Sequence, residues 1–400
     1  MKAHIKNTTY GLLILYYLAL SYFVEGVIVK YSLQYFLFVT PVLIFVGTFS
    51  AYLISKKHSS KGMICLVFFM IVSAISLLRL DTPTFLSTFL FAGSLIVIFN
   101  TRMTVGIRFI NLLFLLSILG SVVSYHLGSN AFGYIPQPVE GEDLTTGAVG
   151  WRISLFPLVA ESGFFALLVI LTNYYLNKSR SRFVFIGLAF YFLIFSGSRT
   201  SLVIFVFFIC FLVVSHFFPF RRRALYEILN PLLIGSFILL LSFKSLLLLI
   251  KDTRIGFLNE YIFKSESGMA EDASREDVAT RSWLWAEHLR IYGRSPIIGV
   301  GTFDFARLKT EGTKSYHAST GSESFITGLL ARVGLPALLM VYLIFVIQRD
   351  AMNSRNRLVY LISLFIFISM ISYGSFLVPY NFMFLLLFGV ANNELSTVSE

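Results

Sequence analysis

The stretch KDTRIGFLNEYIFKSESGMAEDASREDVATRSWLWAEHLRIYGRSPIIGVGTFDFARLKTEGTKSYHASTGS, residues 251–322, is the one long polar segment in a chain otherwise made of apolar runs. It holds Trp283 and Trp285, His288 and His317, and Asp and Glu at a density found nowhere else in the sequence. A polar segment of this size between apolar runs fixes how both flanks are read. They are membrane spans, and the segment is a loop folded over their ends.

Composition agrees. The 400 residues are 56% hydrophobic and 13% charged, with a mean hydropathy of +0.79, whereas soluble domains are about a quarter charged. Cys65 and Cys210 both lie inside apolar runs, so neither a disulfide framework nor a metal-ligand spacing is present. The formal net charge of +11 is the signature of basic cytoplasmic loops. The basic residues are dispersed and form no nucleic-acid-binding motif.

Hydropathy predicts about twelve spans in an all-α integral membrane protein, at 10–29, 32–54, 62–78, 84–99, 109–125, 152–176, 183–196, 200–218, 228–250, 323–347, 358–374 and 378–392. The first run lacks a small-residue cleavage site and is expected to be retained as a helix. With the N-terminus inside, the cytoplasmic connections hold Lys2, Lys6, Lys56, Lys57, Lys61, Arg102, Arg108, Lys178, Arg180, Arg182, Arg221, Arg222, Arg223, Arg349, Arg355 and Arg357. The short outer connections hold only Lys30, Arg79, Arg152 and Arg199. This bias puts both termini in the cytoplasm and the 251–322 loop outside, long loops being exempt from the rule.

The expected organisation is a single polytopic domain over 1–400. Two outer segments are long enough to fold over the bundle: a Gly/Pro/Thr-rich flap at 126–150 and the large loop at 251–322. Within the loop, Arg281, Trp285, His288, Leu289 and Tyr292 recur at helical intervals, which predicts an amphipathic helix over 279–292 lying at the membrane interface. Pro296, Gly299 and Gly301 end it in a turn.

The residues able to carry chemistry gather toward the outer half. Arg199 sits in Phe195-Ser-Gly-Ser-Arg-Thr-Ser201, a minimal connection whose Gly197 admits a close approach. Arg281 opens the tryptophan helix, and a planar guanidinium can grip a diphosphate through two bonds. The bland reading of both is an arginine reaching toward headgroups. Arg152 begins the sixth span, and Glu161, deeper in the same run, needs a partner such as Arg152 or Arg199. His317 and Glu323 lie where the loop re-enters the membrane. Each could serve as a general base, or be a loop histidine and a carboxylate at a helix N-terminus.

Arg152 opening a Pro-containing span, Ser196-Gly-Ser-Arg199-Thr, Arg281-Ser-Trp-Leu-Trp285, Pro296-Ile-Ile-Gly-Val-Gly301, and Glu323-Ser-Phe-Ile ahead of Gly334, taken in this order, resemble the O-antigen ligase and polymerase family of bacterial membrane glycosyltransferases. The resemblance covers residues 150–345 and implies a GT-C-like fold in the cytoplasmic membrane. It also implies inverting, metal-independent and cofactor-free transfer from an undecaprenyl-diphosphate-linked oligosaccharide at the outer face. On it, Arg199 and Arg281 hold the substrate diphosphate. Arg152 is a further candidate for substrate binding, and the expected catalytic residues are Glu323 or, failing that, His317 as base, with Arg281 assisting departure of the diphosphate. A ligase of the family has histidine where Glu323 stands, so the resemblance favours a polymerase. A ligase and a lipid-linked oligosaccharide flippase are the alternatives, and a chain-length regulator and a flippase are the protein partners this reading admits.

Overall fold

The computed structural model describes residues 59–100, 107–115, 159–195, 199–217, 288–311, 324–372 and 382–398. Among them every regular element is a helix: α1 (Ser60–Leu78), α2 (Thr82–Asn100), α3 (Val159–Leu176), α4 (Ser181–Phe195), α5 (Arg199–Phe217), α6 (Thr302–Glu311), α7 (Phe325–Val333), α8 (Leu338–Asn353), α9 (Arg357–Ser372) and α10 (Phe382–Val398), with helical residues at 107–115 and 288–292. Three are long and apolar enough to cross a membrane, at Ser60–Leu78, Thr82–Asn100 and Leu335–Asn353, and shorter apolar helices accompany them. The expected spans at 10–29, 32–54 and 228–250, and the flap at 126–150, lie outside the described residues.

Short connections force antiparallel hairpins, and α1–α2, α3–α4 and α8–α9 pack as such. Lipid offers little hydrophobic drive between helices, so shape and internal hydrogen bonds hold the bundle. Aromatic rings interlock at its centre: Phe164 meets Phe365 edge-on at 5.5 Å, and Phe114 meets Phe165 at 6.0 Å. Asn111 and Asn173 exchange amide hydrogen bonds of 3.1 and 2.7 Å in a buried, self-satisfied pair. At the Lys61 end of the bundle Ser59 caps α1, accepting from Gly62 N and donating to Phe99 O, while Lys61 pairs with Asp350 of α8. α8 therefore runs from the Arg79 end toward the Lys61 end.

One expected span is corrected. Residues 323–347 do not form one helix: α7 stops at Val333, Gly334 adopts φ +72°, and a 3-10 turn at Leu335–Ala337 leads into α8. Pro336 opens the new helix, where its missing N–H costs nothing.

The outward face of α4 shows that the glycines differ in kind. A methyl group added at Gly187 would meet nothing within 4 Å. Gly187→Ala is expected to leave thermal unfolding unchanged or slightly raise its midpoint, the helix gaining up to about 1 kcal/mol. A marked loss of stability in detergent would show that this face is covered.

Candidate functional site

The α1–α2 turn, the 288–302 segment and α7 meet at the Arg79 end of the bundle. The turn is Arg79-Leu80-Asp81, with Leu80 at φ +55°. Asp81 is almost fully buried. One oxygen accepts from Thr84 N at 3.3 Å, and the other accepts from Thr84 Oγ1 and from Thr302 N, both at 2.6 Å. Thr302 is the first residue of α6, so a single carboxylate caps two helices whose residues are far apart in sequence, α2 and α6.

Residues 296–302 lie as a strap across the C-terminal end of α7. Carbonyls at a helix end lack partners within the helix. Here Val300 N donates to Ala331 O and Gly301 N to Arg332 O, each at 2.9 Å, and Leu335 N returns to Pro296 O at 2.9 Å. From the other side Arg79 donates to Gly299 O at 2.7 Å and to Ile298 O at 3.3 Å. The approach is too close for side chains. A Cβ on Gly299 would lie 2.2 Å from Arg332 O, and one on Gly301 would lie 2.5 Å from an Asp81 carboxylate oxygen.

All nine residues of α7 are buried. Ser324 caps it, accepting from Thr327 N, and also donates to Met370 O at 3.3 Å. Phe325 is wedged between Phe91, halfway along α2, and Phe384 near the start of α10, with ring centroids at 5.3 and 5.1 Å. The other end of α7 reaches the strap beside Asp81. At 1.5 Å per residue the helix covers about 13 Å, so it climbs from mid-bundle back to the Arg79 end. His288, fully buried, touches the helix's first turn: its Nδ1 lies 2.9 Å from Thr327 Oγ1. Its ring packs 5.1 Å from Phe305, and the Arg332 guanidinium lies 4.2 Å over the same Phe305 ring. A shallow cleft opens between Ser76, Arg79, Asp81 and Arg332.

Three pieces marked in the sequence thus come together: the end of the tryptophan helix, Pro296–Gly301 and Ser324–Gly334. Residues 288–292 dock on protein through His288 and Ile291, and the rest of the expected helix, 279–287, lies outside the described residues. Arg281, His317, Glu323 and Arg152 lie outside the described residues, as do the side chains of Arg199 and Glu161. Arg199 is the first residue of α5, and Glu323 immediately precedes the Ser324 cap of α7. Sequence reading missed Asp81 and Arg332. Asp81-Thr82-Pro83 is a helix-start signal, and an arginine in a run expected to span a membrane is a flag in itself. Among the described residues no three His, Cys, Asp or Glu gather as a metal-ligand set.

Residues 165–342, from α3 into α8, match the family model Wzy_C, O-Antigen ligase. All three docked pieces fall inside the matched residues. No curated protein matches the chain.

Proposed function

We propose, from the premise that residues 165–342 are an O-antigen ligase domain, that the protein is a polysaccharide polymerase working at the outer face of the bacterial cytoplasmic membrane. It joins a repeat unit carried on undecaprenyl diphosphate to a second lipid-linked unit. The observation that supports this most is the docking of the 288–302 segment on α7. Arg281 lies seven residues before His288 and Glu323 four residues before Thr327, so both groups are close in sequence to this contact.

In this reading a sugar hydroxyl of one lipid-linked unit attacks the anomeric carbon of the glycan on the other. The new glycosidic C–O bond forms as the bond from the anomeric carbon to the diphosphate oxygen breaks. Glu323 takes the hydroxyl proton, or His317 does, and undecaprenyl diphosphate leaves with the bonding electron pair. Arg281 and Arg199, with Arg152, stabilise the charge growing on the diphosphate, which is often the largest catalytic contribution. The glutamate at 323, where a ligase would have histidine, favours polymerase. The matched description itself names a ligase, which keeps transfer to a lipid A-core or other acceptor as the second reading.

A gel of lipid-linked glycan from a deletion strain separates these. One-repeat products that lengthen again when the wild-type chain is restored mean a polymerase. Full-length polymer stranded on its carrier means a ligase, and loss of all outward-facing repeats means a flippase. Restoring Arg281→Ala should leave single repeats although the protein reaches the membrane, and normal chain lengths would remove the proposed mechanism.

A further inference from the structure

We propose that His288 and Thr327 form a positioning pair that sets how the loop's arginine faces the base on the opposite side of the bond being made. The inference rests on the polymerase reading above, and it names residues that take no part in the chemistry themselves.

The argument begins with burial. His288 and Thr327 are both fully buried, and their side chains meet at 2.9 Å between Nδ1 and Oγ1. A buried contact of this kind is costly to break from one side only, so it holds the two helices at a fixed spacing. Its neighbours restrict sliding. Phe305 packs against the His288 ring, with centroids 5.1 Å apart. The pair is therefore flanked by an aromatic ring within the protein interior.

Helical register then gives the pair its consequence. In the helix expected over 279–292, Arg281 stands two turns before His288 on the same face. Glu323 lies four residues before Thr327 in sequence, just ahead of the Ser324 cap. A bond between His288 and Thr327 thus fixes the relation of the two segments at one point, close in sequence to each reactive group. Elsewhere the loop is joined to α7 by backbone bonds at 300–301 and 331–332, at the opposite end of the short helix. Those bonds anchor the loop, and the His288–Thr327 contact aims it. A displacement of about 1 Å between reacting groups can lower turnover a hundredfold.

The test uses full-length protein in liposomes, supplied with the lipid-linked repeat units that accumulate in the deletion strain. Thr327→Val preserves shape and removes the hydroxyl, His288→Ala removes the ring, and Thr327→Ser keeps the hydroxyl. The expected result for the first two is a kcat reduced roughly tenfold to a hundredfold, with KM for the lipid-linked unit within about twofold. Thr327→Ser should restore turnover, and the double variant His288→Ala/Thr327→Val should be no slower than the slower single, as expected for partners in one contact. A kcat for Thr327→Val close to wild type, or effects that multiply in the double variant, overturns the pair. Normal turnover in Arg281→Ala and Glu323→Gln overturns the polymerase reading and the pair with it. Inactive Arg281→Ala and Glu323→Gln beside a fully active Thr327→Val overturns the pair alone.

Discussion

Gly299→Ala is expected to destroy the junction at the Arg79 end of the bundle. The added Cβ would lie 2.2 Å from the Arg332 carbonyl oxygen, 2.3 Å from its carbon and 2.4 Å from Val333 N. These are backbone atoms of a buried helix, so no side chain can rotate away to make room. The residue also sits at φ +66°, a conformation that L side chains rarely adopt. Backbone strain of this kind costs about 1–3 kcal/mol, and overpacking adds a similar amount. The strap's own bonds to Ala331 O and Arg332 O prevent it from backing off without leaving those carbonyls unpaired. Gly334 repeats the situation from the facing side: at φ +72°, its Cβ would lie 2.5 Å from Gly299 N and Ile297 O. Either substitution should leave little folded protein after solubilisation, with polymer lost in cells. Gly293→Ala serves as the comparison, its nearest contact being 3.4 Å from Arg290 O. Equal thermal midpoints for Gly299→Ala and Gly293→Ala would mean that the strap does not press on α7 as described.

That junction shows where sequence reading succeeds and where it stops. Helix limits were legible because the apolar runs end in polar or turn-forming residues: runs expected at 62–78, 84–99 and 200–218 correspond to Ser60–Leu78, Thr82–Asn100 and Arg199–Phe217. The break at Gly334 was hidden for the opposite reason. α7 and α8 are both apolar, so hydropathy runs through the turn, and only Arg332 and the Gly334-Leu-Pro336 sequence mark it. The pieces Pro296–Gly301 and Glu323–Gly334 could be singled out, yet their relation could not. A glycine needed because another segment's carbonyl lies against it looks the same, in one dimension, as a glycine needed for a turn. The depth of α7 was equally out of reach. It depends on which rings Phe325 meets, and Phe91 and Phe384 are far from it along the chain.

Asp81→Ala should loosen the strap's hold on the bundle while leaving the spans intact. The carboxylate accepts three hydrogen bonds, from Thr84 N, Thr84 Oγ1 and Thr302 N, and the alanine variant leaves the starts of α2 and α6 without their cap. Loss of one cap costs about 1 kcal/mol, and loss of a bond to a charged acceptor costs about 1.5–3 kcal/mol. The sum is about 3 kcal/mol, concentrated where the loop is attached. Thr84 Oγ1 and Thr302 Oγ1, 2.6 Å apart, still bond to each other, so the threonines alone would not let the strap go entirely. Limited proteolysis is the direct readout, with cleavage within 251–322 expected to speed up in Asp81→Ala well before the transmembrane helices become accessible. Asp81→Asn separates charge from geometry. Its amide oxygen can still accept from Thr302 N, but its nitrogen cannot accept from Thr84, so it should fall between wild type and alanine in both proteolysis and polymer length. If Asp81→Ala matched wild type in both measurements, the strap would be held by its bonds to α7 alone, and the α1–α2 turn would have no part in placing the loop.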